Sequence, residues 1–262
     1  MPSLRGVPAA PWRWAFMGAL LGLLLSVLLF APARWLASGV QAASQGRVLL
    51  QNAQGSLWAG SAQLMLTGGA SSLDRSILPG RLAWQMSASG RGLGVSLNAD
   101  CCMQQALALT LMPHWSGVQI SLSDSQSQWP AQLLQGLGTP WNTIQAQGSL
   151  NLNTRGTSLN WSTGRWQAAG QLQLDALNLS SHLSTLHPMG SYRFSLQGGA
   201  PSTLALSTLQ GSLQLSGNGQ WLGGQFRFEG EASSLPEHEA ALSNLLNIIG
   251  RRNGARSIIK LG

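Results

Sequence analysis

Beyond Trp35 the chain repeats one device: an apolar residue at every second position, interrupted by glycine. Leu64 and Leu66 alternate with Gln63 and Met65. Leu93, Val95 and Leu97 alternate with Gly94 and Ser96, and Val118, Ile120 and Leu122 with Gln119 and Ser121. The same rhythm returns at Leu172 and Leu174, at Tyr192, Phe194 and Leu196, and at Phe226 and Phe228. Period two places one set of side chains in a core and the other outside, so these runs are half-buried strands. Between them stand GG (68–69), ASGRG (88–92), STG (162–164), GG (198–199), GNG (217–219) and GG (223–224). Glycine at that spacing signals hairpin turns. The expected fold is mainly β, with antiparallel meanders of about twelve strands forming a sandwich, a partly open barrel or a trough. The tetrapeptide QGSL occurs at 54–57, 147–150 and 210–213. It reads as a strand entry: glycine frees the turn and leucine starts the inward set. The copies keep no fixed period, which excludes a regular solenoid.

Two short helices interrupt the pattern. One is predicted over 130–135, opened by Pro130 and closed by Gly136. The other covers 237–249, with Pro236 at its first turn and Glu237 and Glu239 at its positive end. Leu242, Leu245, Leu246 and Ile249 make its apolar stripe, and Gly250 stops it. Arg251 and Arg252 follow the negative end, and SIIKL is a last strand.

The amino-terminal part has a different character. From Ala15 to Ala33 there is no charge over about 19 residues, roughly 28 Å of helix and close to a bilayer core. Trp12, Trp14 and Trp35 stand at its ends, where interfacial aromatics belong. The expected organisation is a short cytoplasmic amino terminus (1–13), a transmembrane helix (14–35) and a periplasmic β-rich domain (36–262). The competing reading is a signal peptide cleaved near Ala37 or Ala43. The run exceeds an ordinary signal core, which favours the uncleaved anchor.

Composition narrows the function. Charged residues make up 9% of the 262, while 44% are apolar, which suits an envelope β-protein better than a cytoplasmic enzyme. The net charge of +7 is spread along the chain. No basic stripe with interleaved aromatics forms, so nucleic acid is not an expected partner. Cys101 and Cys102 are adjacent and lack zinc-site spacing; they form a vicinal disulfide or, as the preferred reading, serve in packing. His182 and His187 are five apart with no carboxylate beside them, which does not make a metal site. Glu229 and Glu231 share one strand face; this is the solvent face of a strand before it is an acid–base pair. No nucleophile elbow or phosphate loop is present. The reading is a non-enzyme with no catalytic, cofactor-binding or metal residues and no cofactor.

The strings WPAQLLQGLGTPWNTIQAQGSLNL (129–152), STLHPMGSYRFSLQGG (184–199), STLQGSLQLSGNGQW (207–221), FRFEGEASS (226–234) and LSNLLNIIGRRNGARSIIKLG (242–262) resemble the type II secretion system protein N family of Gram-negative bacteria. The likeness covers most of 129–262; the first half fits through its anchor, QGSLWAG and the cysteine pair. The resemblance implies an accessory, single-pass inner-membrane component with a periplasmic β-domain and no catalytic residues. It also implies partners among other secretion components, namely the inner-membrane platform and, further, the outer-membrane secretin. In architecture the family is also similar to β-rich envelope proteins that cradle lipid. A membrane-anchored lipid-binding or lipid-transfer module is therefore the alternative.

Overall fold

A computed structural model describes residues 12–69, 71–90, 92–162, 165–222 and 225–262. Helix α1 (Trp12–Leu29) and helix α2 (Ala33–Ala43) open the chain. Strands β1 (Val48–Gly55), β2 (Ala59–Thr67), β3 (Arg75–Ile77), β4 (Leu82–Ser89), β5 (Gly92–Ala99), β6 (Leu107–His114), β7 (Gly117–Leu122) and β8 (Ser125–Pro130) follow. A 3₁₀ segment (Ala131–Leu137) and the one-turn α3 (Trp141–Ile144) precede β9 (Gln147–Ser162) and β10 (Arg165–Ser180). Then come β11 (Gly190–Gln197), β12 (Thr203–Gly211), β13 (Leu213–Leu222) and β14 (Gln225–Ser234). Helix α4 (Glu239–Ile249), β15 (Arg251–Asn253) and β16 (Arg256–Leu261) complete the chain.

All of these strands join one antiparallel sheet of 16 strands, ordered β1-β2-β4-β5-β6-β7-β9-β10-β11-β12-β13-β14-β16-β15, with β3 beside β2 and β8 beside β9. The sheet is open and not closed into a barrel. The fold is the mainly β meander that the alternation predicts, with more strands than about twelve. Short members such as β3, β8 and β15 are too brief to show a period.

The register aligns most of the apolar sets on one face, with Leu49, Met65 and Ile77 making a small set on the other. Leu50 stands beside Leu64, Leu82 beside Ala62 and Ala99, and Val95 beside Leu109. Ile120 stands beside Leu111 and Leu159. Leu174 stands beside Leu152 and Phe194, and Phe194 beside Leu206. A pleated sheet repeats its face every second residue, so a meander in register builds one continuous apolar surface. Parts of that surface are roofed. Helix α2 lies on it through Ala33 and Leu36, against Ala62 and Trp84. Leu133 of the 3₁₀ segment packs with Leu78, Ala99 and Cys102. Ile144 of α3 covers the Leu150–Ala176 region. Helix α4 packs Leu242, Leu245 and Leu246 on Tyr192, Leu206, Leu213, Phe228 and Ala232, with Ile249 at the margin.

The predicted helices occur with changed forms. Residues 131–137 are 3₁₀, and Pro130 ends β8. The second helix starts with a 3₁₀ turn (Pro236–His238) before α4, and its buried stripe is the one read from the sequence. Arg252 does not simply follow the helix end. It lies in β15 and reaches back to Glu239, Nη2 to Oε1, at 2.8 Å. The single helix expected over 14–35 is two, because Pro32 ends the first run and becomes the N-cap of α2. Among the described residues no helix is long and apolar enough to cross a membrane.

The QGSL copies differ in place. Gln147 does enter β9, but Gly55 and Gly211 are the last residues of β1 and β12. What they share is a positive φ, of 89°, 129° and 125° at Gly55, Gly148 and Gly211. At Gly211 a Cβ would stand 2.2 Å from the Cα of its register partner Gly190, so the paired strands approach there as only glycine allows. The GNG run is not a turn. Gly217 and Gly219 lie inside β13, where the rings of Phe228 and Phe226 occupy the space a side chain would need. Residues 163–164 of the STG break and the third GG break, 223–224, lie outside the described residues, between strands that pair as hairpins.

Candidate partner-binding face

The face opposite the apolar surface is built from glutamine, asparagine and serine in cross-strand lines. Gln126, Asn153, Gln173 and Ser195 are direct neighbours on successive strands. Gln128, Asn151, Asp175 and Arg193 make the adjacent line. Amides and hydroxyls at this density can exchange water for a partner's backbone or side chains at small desolvation cost.

Several charges on this face are paired. Arg193 donates from Nε to Asp175 Oδ1 at 2.7 Å and from Nη2 to Asp175 Oδ2 at 2.8 Å. This paired geometry is the strong form of an ion pair. The Arg193 hydrogen bond is the main reason the Asp175 carboxyl is held below its ordinary value, and the Gln173 amide adds to it against the cost of burial. Asp175 in turn raises Arg193. Glu229 pairs with Lys260 at 3.1 Å and Glu231 with Arg256 at 3.2 Å. The two glutamates do share a strand face, and each meets a cation on β16. Both pairs are exposed and add little to stability.

A groove opens on this face where β9 changes partner. The amino-terminal half of β9 pairs with β8, and its carboxyl-terminal half with β7. Thr154 is buried at the junction; its Oγ1 donates to the Ser123 carbonyl at 2.9 Å and accepts from the Ser125 N–H at 3.1 Å. Asp124 Oδ1 accepts from the Gly156 N–H at 2.7 Å. These bonds pin the crossing from β7 to β8. The resulting cavity of 290 Å³ is lined by Gln104, Gln105, Asp124, Gln126, Asn153 and Arg155, among others. A neighbouring hollow of 120 Å³ shares Gln126, Asn153 and Arg155 and adds Gln171 and Gln173. Sequence reading singled out none of these residues. They come from segments tens of positions apart, and the only local sign is the polar run DSQSQ at 124–128.

Other residues singled out in the sequence lie elsewhere. Cys101 and Cys102 are joined by a disulfide, and Cys102 is also buried in the core beside Leu78 and Leu133. The pair therefore is a vicinal disulfide that also packs in the core. His182 Nε2 lies 3.3 Å from Gln147 Nε2, and among the described residues no group of three or more His, Cys, Asp or Glu is placed to hold a metal.

Residues 46–259 match the family described as type II secretion system, protein N. The chain belongs to that family. No curated protein and no solved structure matches it. The protein N match begins just before β1 and ends within β16, so it spans the whole sheet and both of its faces. It extends well upstream of residue 129, where the specific strings begin. Membership of the family ties this sheet to type II secretion.

Proposed function

We propose that this chain is an accessory inner-membrane component of the type II secretion system. It binds other secretion components through the polar face of its β-sheet and so supports export of folded proteins across the outer membrane. In this reading α1 anchors the chain with its amino terminus in the cytoplasm and the sheet in the periplasm. The inner-membrane platform is the first partner and the secretin a further one. The apolar side chains of α1 support the anchor, since Leu21, Leu23 and Leu24 are 58–62% exposed and pack on no part of the sheet.

The observation that carries the reading is the polar face itself. Its Arg193–Asp175 pair is satisfied within the face, and its lines are Gln, Asn and Ser around a shallow polar groove. Such a face suits a protein surface better than an acyl chain, which needs a continuous apolar cavity. The test is photo-crosslinking in cells from Gln126 or Asn153, with Asn244 on the outer side of α4 as the control. Adducts with platform proteins from the first two positions, and none from the third, are expected. Adducts from neither Gln126 nor Asn153 remove the face from the proposal.

A further inference from the structure

The strand register sorts the turns to the two ends of the sheet. The β1–β2, β4–β5, β6–β7, β9–β10, β11–β12 and β13–β14 turns share one end. The 3₁₀ segments, α3, α4 and the longer loops occupy the other. The two ends differ in chemistry. Of the eight carboxylates, Asp74, Asp100, Glu237 and Glu239 lie towards the helical end, Asp124 lies at the β7–β8 crossing in the middle of the sheet, and Asp175, Glu229 and Glu231 lie within strands. The hairpin turns contain none. The charged residues of the turns and the adjoining strand ends are, in sequence, Arg91, Arg165 and Arg227, and Arg227, the third residue of β14, is exposed. Trp58, Trp115, Trp161 and Trp221 fall in these turns or in the strand residues next to them. Trp115 is fully exposed at the β6–β7 tip, and Trp161 and Leu222 are each 41% exposed. Trp221 keeps its ring against Phe226, with centroids 4.4 Å apart.

This end is also where the chain comes in from α1. Leu57 in the β1–β2 turn donates its N–H to the Ala31 carbonyl at 2.7 Å, and Pro32 bridges to Ser56. Only Phe30 separates Leu29, the end of α1, from Ala31, a reach of at most about 7 Å. Exposed Arg34 follows at once.

We infer that the hairpin end of the sheet is a membrane-contact surface. It rests on the headgroups of a phospholipid bilayer, with Trp115 and Trp161 at the headgroup level and Arg34 and Arg227 facing anionic lipid. The inference rests in part on the anchoring of α1 proposed above, since that anchor leaves the tips no linker with which to stand off. Tryptophan is the residue that prefers the bilayer interface, and cations near it gain from acidic lipid. The absence of carboxylates removes the repulsion that would otherwise oppose contact. A protein partner is the disfavoured occupant because the end is a row of separate turn tips with no continuous surface between them.

The test uses the full chain reconstituted in vesicles of phosphatidylethanolamine and phosphatidylglycerol. A photo-crosslinking amino acid is placed, one position at a time, at Leu21 in α1, at Trp115, and at Trp141 at the opposite end. Lipid adducts are read by mass spectrometry. The expected result is an adduct from positions 21 and 115 and none from 141. Exchange of phosphatidylglycerol for phosphatidylcholine, or the pair Arg34→Gln and Arg227→Gln, lowers the adduct at 115 by at least threefold and leaves that at 21 unchanged. An adduct at 21 without one at 115 overturns the contact and spares the anchor. An adduct at 115 without one at 21 keeps the contact and removes the anchor. Equal adducts at 115 and 141, or an adduct at 115 with a second copy of the chain, overturn the contact.

Discussion

The first half of β5 with β6 and β7, and strands β11–β14, carry the same alternation of apolar and polar residues, and only the second set lies under a helix. Beneath α4, Tyr192, Leu206, Leu213 and Phe228 are buried. In the uncovered strands Val95, Leu109, Leu111, Val118 and Ile120 face the same way and stay half-buried. They belong to none of the buried clusters of the described residues. Alternation therefore sets which face is apolar, and the roof sets how much that face is worth. A half-exposed leucine gains only part of the roughly 1.5–3 kcal/mol that full burial supplies.

The sharpest way to break this comparison is Leu245→Ala. Leu245 is 1% exposed at the centre of the α4 contact, so the loss is about 2–5 kcal/mol in urea denaturation. Asn244, exposed on the other side of the helix, is the control, and its replacement by alanine costs little. Equal effects at the two positions would mean that α4 docks by another face. Next in size is Gly211→Ala. It puts a side chain at positive φ and against Gly190, at a cost of about 2–4 kcal/mol read as a lower melting midpoint. Alanine at Gly254, whose φ is 62° and which has open space around it, pays only for the backbone.

Tyr192→Phe tests the polar anchor of the roofed core. The Tyr192 hydroxyl donates to the Leu213 carbonyl at 3.1 Å, and its loss leaves that carbonyl without its donor at about 1–3 kcal/mol. Burial raises the phenol above its ordinary value, so it stays protonated and donating throughout the neutral range. Ile120→Ala in the uncovered region should cost less than Leu245→Ala, about 1–2 kcal/mol, because half of the side chain already meets water. A cost as large as that of Leu245 would reveal a cover over β7.

The smallest effect is a pH dependence on the polar face. Asp175 is depressed by Arg193, so its contribution is complete above the ordinary carboxylate range and is lost as pH falls through the lower native value. Arg193 is 39% exposed and Asp175 13%, which limits the pair to at most about 1 kcal/mol. Stability measured from neutral to acid pH should fall less steeply in Asp175→Asn than in the parent chain. Identical slopes would remove the pair from the stability of the sheet.

Parts of this structure were legible in advance for a simple reason. Strand faces, the α4 stripe and the final strand each depend on residues within a few positions of one another. The apolar stripe Leu242–Leu245–Leu246 is visible at a glance in the chain, and so is the family resemblance of its tail. The GNG run misled because glycine marks a turn and also marks room for an aromatic ring. Only the β14 partners Phe226 and Phe228, one strand away, decide between the two. Helix α2 was hidden because ARWLASGVQAA continues an apolar run, and its amphipathic face means something only once Ala62 and Trp84 lie beneath it.

By itself the sequence determined the antiparallel meander and which residues of each strand share a face. These follow from periodicity and residue type, which are local properties. The tertiary structure alone decided that the sheet stays open, that β9 divides its pairing between β7 and β8, and that a polar groove forms at the crossing. It also decided that the aromatic, carboxylate-free turns gather at the end where α1 joins the sheet. Each of these is a relation between residues far apart in the chain. Register and the stacking of strands create it, and no window of sequence contains it.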